Sequence, residues 1–487
     1  MGGFISLFKK KSESGIHTEW IPATTPKILW IELTSTCPFD CIFCSRRSTR
    51  GTGAHMDFDM FRRLMAELKR PAILRLNYAG ESIHYPHLIE AIDLAAKTGA
   101  RTELVTSFSS YPHDRMKRLV ESGLDNLTIS LHTLDEDQYT EIYRHGSLGD
   151  LKRNVAAFLE AREKLGKNRP TLSLAFVAFK RNLHQLPEIA RYADALNAAD
   201  LSVQPVMVRD PTPVSFHDEV KGGSLDPGFR QEIVQAVEAV KKAFPERCIK
   251  LSCMEHAPVA ELTPIPRYFS GPLPGSGRIY SCDQNPWESV HILSNGDVAA
   301  CEVLDKIPLG NLRENSLSHI WRGDPYQKFR ERHMAGEETS CRLCPYKIAY
   351  LPAPMASLIS ASGRFHDQLL RGWHPGDDGQ IIWSMGEALA VLKREKGART
   401  LRVAGLLPWV TNMGDNHLDL SLNGAPLGRI TNASGGDLSF DEAFPLGRTP
   451  GPLHVGFQVK NPFRPGDLSE SPDIRELGFA LIRMEAI

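Results

Sequence analysis

Cys37-Pro38-Phe39-Asp40-Cys41-Ile42-Phe43-Cys44 follows directly on an apolar stretch, residues 28–34, that reads as a strand. The three cysteines therefore stand on a loop at a strand's C-terminal end. Three thiolates this close can hold three corners of a cubane [4Fe–4S] cluster, which normally takes four cysteines. The iron left without a protein ligand then keeps an open coordination position. The same logic separates catalytic from structural zinc sites. A zinc knuckle with His55 as fourth ligand is the alternative, and the preceding strand disfavours it.

Outward from this loop, strand and helix alternate as far as about residue 210. Strands are expected over 28–34, 72–78, 101–107, 126–132, 171–178 and 201–206, each rich in Ile, Leu, Val, Phe or Thr. Helix-length segments such as 58–70 and 88–98 lie between them, the latter closed by Lys97-Thr98-Gly99. Repeated β–α units imply a parallel sheet covered by helices. The expected class is α/β, a partial (β/α)6 TIM-like barrel with its chemistry at the strands' C-terminal ends.

Residues 211–280 read as irregular apart from a helix over 228–244. A second cysteine group, Cys282, Cys301, Cys341 and Cys344, follows, and 350–372 reads as a connector. Beyond it the period changes to two. Leu418, Leu420 and Leu422 alternate with Asp419 and Ser421 ahead of Asn423-Gly424, a hairpin turn. Leu453, Val455, Phe457 and Val459 alternate as well, as do Leu477, Phe479 and Leu481. This pattern predicts an all-β sandwich. The expected division is a tail (1–25), a barrel core (26–245), a small α+β iron–sulfur domain (246–350), a linker (351–372) and the sandwich (373–487).

Composition excludes other classes. Of 487 residues, 42% are apolar and 24% charged, which rules out a disordered or collagen-like chain. Lys+Arg is 57 and Asp+Glu 58, a net charge of −1, which argues against nucleic acid as a partner. No apolar run reaches the roughly 20 residues of a membrane span. Phe8-Lys9-Lys10-Lys11 precedes no long apolar stretch, so no signal peptide is expected. Nine cysteines, mostly clustered, then read as metal or redox ligands in a reducing, cytoplasmic compartment.

The three-cysteine loop, with Phe43 before its last cysteine, resembles the signature of the radical S-adenosylmethionine (SAM) superfamily. The resemblance runs through the barrel. Asn77-Tyr78-Ala79-Gly80-Glu81-Ser82 stands where that family has Gly-Gly-Glu-Pro; Gly80 and Glu81 keep the core, while Ala79 and Ser82 depart. The resemblance implies that Gly80 and Glu81 meet the SAM amino group. It places Ser107 of Thr106-Ser107 at the third strand's end, where the family often has Thr-Asn, and Ser130 and Arg144 at the SAM ribose and carboxylate. Packing or surface roles are the alternative for these three. The implied chemistry is one-electron cleavage of SAM to a 5′-deoxyadenosyl radical, which removes a hydrogen atom from a substrate C–H. A reduced flavodoxin or ferredoxin-type donor would supply the electron.

Cys282, Gly296, Cys301 and Cys341-Arg342-Leu343-Cys344 resemble the SPASM/twitch type of auxiliary-cluster domain. Trp287, Ile292, Asn295-Gly296 and Val298 sit where that domain has a β-hairpin; Gly310-Asn311 and Ile320-Trp321 also match. The four thiolates would hold one auxiliary [4Fe–4S] cluster, with a four-cysteine zinc ribbon as the alternative. Tyr350 stands where the next motif cysteine of a full SPASM domain would fall, and the spacing resembles the twitch domain of an aminocyclitol dehydrogenase. Cys253 is a candidate hydrogen-atom donor; a buried or idle thiol is the alternative for it and for Cys248.

The C-terminal part weakly resembles β-sandwich modules attached to enzymes of glycan synthesis. Trp373 and Trp383 would stack on a sugar there, or else fill the core. These resemblances imply an oxidoreductase or epimerase acting on a small-molecule, sugar-type or glycan substrate. The second reading is a maturase of a ribosomal peptide or protein, against which stands the short stretch before the first strand. The third is a non-catalytic Fe–S or glycan-binding scaffold, which the complete cysteine triad disfavours.

Overall fold

The structure, a computed structural model, describes residues 25–44, 46, 53–69, 71–206, 227–244, 250–253, 273, 277–344, 346–350, 355–363, 368–374, 380–409, 414–447, 452–468 and 475–487. The chain divides into two compact units. One comprises Pro22–His256 and Gln284–Arg330; the other Met1–Ile21, Ala257–Asp283 and Glu331–Ile487. No helix among the described residues is long and apolar enough to cross a membrane.

The first unit opens with β1 (Ile28–Ile31), α1 (Phe58–Glu67), β2 (Ile73–Arg75), α2 (Leu88–Ala96), β3 (Arg101–Thr106) and α3 (Met116–Glu121). It continues through β4 (Asn126–Ser130), α4 (Glu136–Tyr143), α5 (Leu148–Lys164), β5 (Thr171–Ala178), α6 (Leu186–Ala195), β6 (Asp200–Pro205), α7 (Pro227–Ala243) and β7 (Lys250–Cys253). Local chemistry sets the helix starts. The carboxylates of Asp57 and Asp135 accept from Met60 and Gln138 N–H, and the Ser147 hydroxyl accepts from Asp150 N–H, each satisfying an orphan donor of a first turn.

Strands β1 to β7 pair in series and in parallel. After β8 (Arg278–Cys282), which belongs to the second unit, the chain returns to the first with β9 (Ser289–Ile292), β10 (Asp297–Ala299), β11 (Gly310–Asn311) and α8 (Leu317–Arg322). Strand β9 pairs in parallel with β1, and β10 and β11 extend the sheet antiparallel. All six expected strands form. The sheet gains β7 and β9, which pattern alone does not find: Lys250-Leu251-Ser252-Cys253 and Ser289-Val290-His291-Ile292 are too short and too polar. Their pairing is tertiary in origin.

Alternation builds the two faces. Leu29, Ile31, Leu74, Leu104, Leu127, Ile129, Leu172, Leu174 and Leu201 are buried on the helix side. Each such side chain contributes about 2 kcal/mol by leaving water. Their neighbours Trp30, Arg75, Glu103 and Ser130 are half-buried on the opposite, inner face.

In the second unit β8 pairs antiparallel with β12 (Lys347–Tyr350), Cys282 opposite Lys347. Helix α9 (Asp324–Ala335) ends and α10 (Thr339–Leu343) lies here. An all-β, antiparallel module follows: β13 (Leu358–Ser360), β14 (Leu369–Trp373), β15 (Ile382–Leu392), β16 (Thr400–Leu407), β17 (Asn416–Leu422), β18 (Ala425–Asn432), β19 (Leu438–Pro445), β20 (Leu453–Val459) and β21 (Ala480–Ala486). Strand β15 pairs with β20 through Glu387–Leu392 and with β21 through Ile382 and Trp383, so one bent strand serves both halves of the sheet. Asn423 and Gly424 take positive φ, 50° and 81°, at the β17–β18 turn, as its sequence predicts. Trp373 is core: it is buried edge-on against Phe457 and Phe479, and its indole N–H donates to Leu389 O at 2.8 Å. That leaves it no face for a sugar. Trp383 is half-buried with its edge to Phe463.

Candidate active site

The three-cysteine loop is built by what surrounds it. It leaves β1 at Glu32 and is held against the end of α4: Asp40 N–H donates to Tyr143 O (3.3 Å) and Ile42 N–H to Ile142 O (3.0 Å). Aromatic rings fill the space beneath. Phe39 meets Tyr143 edge-on, Phe43 meets His132 edge-on at 5.1 Å, and His132 stacks on Tyr143 at 5.3 Å. Val177 N–H donates to His132 Nδ1 at 3.1 Å, so the proton of the neutral ring sits on Nε2. Burial drives the His132 pKa down to about 3.

Cys37, Cys41 and Cys44 are half-buried and close enough to feel one another electrostatically. Burial raises the Cys37 thiol to about 11 and pushes Cys41 well above its ordinary value, with the neighbouring cysteines and Glu81 adding to the rise. Crowded, desolvated thiols of this kind are stabilised as thiolates only by a positive partner such as iron. Among the described residues no three His, Cys, Asp or Glu side chains stand close enough to share a single metal ion. A cluster asks for less proximity, because each thiolate takes a different iron.

Gly80 lies against the base of this loop. A Cβ there would fall 2.1 Å from Thr34 O and 2.8 Å from Ser35 Cα, so only glycine permits the contact. Glu81 N–H donates to Thr36 O at 3.0 Å, which fixes the carboxylate beside the cysteines. Glu81 is buried, and its Oε2 accepts from Ser107 N–H (2.8 Å) and Ser107 Oγ (2.7 Å). Its Oε1 is buried without a hydrogen-bond partner among the described residues. A buried carboxylate oxygen with lone pairs to spare suits an ammonium donor. The donor set and this orphaned atom therefore fit a three-cysteine cluster carrying SAM.

Glu81 and Ser107 are thus brought together. Ser130 ends β4 on the inner face, and its carbonyl accepts from the Tyr143 hydroxyl at 2.7 Å. Arg144 caps α4 at φ 46°, is exposed, and reaches Asp40 on the cysteine loop at 3.4 Å. Cys253 ends β7 in register with Val203; its side chain, like all of Cys248, lies outside the described residues. Cys301 follows β10 in the first unit. Cys282 ends β8 in the second, where Cys341 in α10 and Cys344 just after it also lie. The His333 ring meets the Cys341 sulfur at 3.3 Å. His291 and Gln284 side chains pair at 2.9 Å, and the Tyr78 hydroxyl donates to Glu302 O and Asp305 Oδ2.

Sequence reasoning misses Arg46. It is buried, donates to Ser35 O at 3.3 Å and draws the Cys37 thiol down against the effect of burial. Its signal was proximity to Cys44, which does not distinguish it from Arg47. It also misses the half-buried Trp30–Arg75–Glu103 row, because charged residues in a strand read as exposed.

A parallel barrel with a three-cysteine loop at the first strand's end and a buried Gly-Glu beside it defines a SAM-dependent iron–sulfur enzyme. Residues 31–193 match the radical SAM superfamily, and residues 282–345 match the SPASM iron-sulfur cluster-binding domain. The chain carries both domains and is a radical SAM enzyme. The first domain implies a [4Fe–4S] cluster with SAM, and the second implies auxiliary iron–sulfur.

The chain is 26% identical over 322 residues to the tungsten-containing aldehyde ferredoxin oxidoreductase cofactor-modifying protein of Pyrococcus furiosus, covering 62% of this chain and 83% of that one. It is 30% identical over 197 residues to a PqqA peptide cyclase of Rhodopseudomonas palustris, covering 40% of this chain and about half (49%) of the cyclase. Streptococcus suis SuiB bound to precursor peptide SuiA shares the fold, with a TM-score of 0.51, 16% identity, and coverage of 66% of this chain and 72% of that one.

Proposed function

We propose that this chain is a SPASM-type maturase that modifies a ribosomal peptide or protein. The observation that carries this reading is the 30% identity to a PqqA peptide cyclase, a relative named for its peptide substrate. The peptide reading therefore has better support than the sugar-type oxidoreductase or epimerase that sequence motifs favoured.

Cys37, Cys41 and Cys44 would hold the SAM-binding cluster, and Cys282, Cys301, Cys341 and Cys344 the auxiliary one. Bound there, cluster and SAM supply hydrogen-atom abstraction from an unactivated substrate C–H. The chain's own groups do the rest. Glu81 Oε1 would accept from the SAM ammonium, and Ser107 keeps the carboxylate pointed by occupying its other oxygen. Gly80 sets the distance between that carboxylate and the cysteine loop. Ser130 and Arg144 would make the ribose and carboxylate contacts that the family resemblance implies. The aromatic floor of Phe43, His132 and Tyr143 keeps water from the loop's underside. A cytoplasmic, reducing compartment and a flavodoxin or ferredoxin-type donor suit such a centre.

The test is anaerobic. Reconstituted, reduced enzyme is mixed with fractions of a native cell extract, half of each pretreated with protease, and 5′-deoxyadenosine is followed. Stimulation lost on protease treatment is expected. Stimulation that survives it overturns the peptide reading in favour of a carbohydrate or other small molecule.

A further inference from the structure

The inner face of the sheet carries one row of side chains that cluster and SAM chemistry does not use. His291, Trp30, Arg75 and Glu103 stand side by side on β9, β1, β2 and β3, joined by the register Trp30↔His291, Trp30↔Arg75 and Arg75↔Glu103. Neighbouring parallel strands lie about 4.8 Å apart, so rings and planes in such a row stack. His291 lies parallel to Trp30 at 5.5 Å, and the Arg75 guanidinium sits over the Trp30 ring at 4.3 Å. Arg75 Nε donates to Glu103 Oε2 at 2.9 Å, while Glu103 Oε1 takes Arg101 at 2.8 Å. Two guanidinium groups thus share one carboxylate, leaving an excess positive charge.

Arg75 is the last residue of β2, on the side of the sheet where Gly80 and Glu81 follow. Its stacked face and its Nε are spent. Its two terminal nitrogens have no partner among the described residues, and the side chain keeps 30% of its surface open. A guanidinium fixed in this way presents a planar pair of donors that matches a carboxylate's two oxygens. It is already ordered, so binding costs little side-chain entropy.

We propose that Arg75, set by Trp30 and Glu103, is a recognition site for a carboxylate of the substrate. The inference rests on the maturase reading for its source: the carboxylate belongs to an Asp or Glu side chain of the peptide. A uronic acid carries the same group on a sugar.

The experiment uses the reconstituted full-length enzyme with SAM and three probes, with binding read by calorimetry. The probes are glucuronate and two random hexapeptide pools, one containing Asp and Glu, the other Asn and Gln in their place. A charged hydrogen-bond pair corresponds to about 10- to 100-fold in affinity. The acidic pool should bind at least about 10-fold tighter than the amide pool. Arg75→Gln should abolish that difference and leave the amide pool unchanged. Glucuronate binding that depends on Arg75, with neither peptide pool bound, upholds the carboxylate site and overturns the peptide reading. Binding of acidic pool and glucuronate unchanged in Arg75→Gln overturns the site. So does an equal loss of both pools, or no binding of any probe to the wild type. If Arg75→Gln does not fold, Arg75→Lys keeps the charge and the stem over Trp30 but loses the paired donors. It should bind the acidic pool several-fold more weakly, and wild-type affinity overturns the proposal.

Discussion

Glu81 shows how much rests on a single carboxylate. One oxygen is occupied by two donors from Ser107 and the other is buried without one. Replacing it with Gln keeps an acceptor for Ser107 but removes the charge an ammonium needs. Glu81→Gln should load iron normally and bind SAM about 10-fold or more weakly, checked by iron assay and equilibrium dialysis. His132 is a second residue whose burial has a measurable consequence. Its folded pKa of about 3 lies below the ordinary 6.5. The unfolded chain therefore gains a proton as pH falls through about 6.5, and the folded chain does not until about 3. Stability is full above about pH 7 and declines below it, by about 1.4 kcal/mol near pH 5.5. The fall in melting temperature between pH 7.5 and roughly 5.5 should be smaller in His132→Gln than in wild type, and equal slopes would remove His132 from the account.

Elements hold these residues by close backbone contact. The end of β2 touches the cysteine loop at Gly80, where any Cβ collides with Thr34 O. Gly80→Ala should destabilise the barrel by about 3 kcal/mol, the upper range for overpacking, and lower cluster loading. The end of β3 is held differently. Phe108 takes a φ of 59°, rare for a bulky residue, and the buried Asn154 side chain of α5 donates to its carbonyl at 2.7 Å. Asn154→Ala leaves that carbonyl unsatisfied and should cost about 1–3 kcal/mol in urea unfolding, with Ser107 losing its aim at Glu81. The six central strands and the cysteine loop were legible in sequence because period and motif are local. Strand β7 was not, since its four residues become a strand only by finding β6; the β9–β10 hairpin was legible only through the auxiliary-domain resemblance, and the pairing of β9 with β1 was not. Glu81 was legible through its neighbour Gly80. Arg46 and the Arg75 row were not, because the burial of a charge is decided by the whole barrel.

On the scale of the whole molecule the cysteines form two sets with separate surroundings. Cys37, Cys41 and Cys44 lie on one loop of the barrel unit, beside Glu81 and Arg46. Cys341 lies in the other unit, with the buried His333 ring at its sulfur. If each set serves one cubane, the reconstituted chain holds about 8 irons. Cys41→Ala should then retain about 4, lose SAM cleavage entirely and keep its fold by circular dichroism. Cys341→Ala should also retain about 4, but with the SAM-perturbed signal of the first cluster intact in electron paramagnetic resonance. Zinc at the second set gives a different count: about 4 irons and one zinc in the wild type, with Cys341→Ala losing zinc and no iron. The metal analysis thus separates a radical enzyme with an auxiliary electron acceptor from one with a structural zinc ribbon. The first gives the substrate radical a second place within the protein, besides the oxidised SAM-binding cluster, to leave its electron.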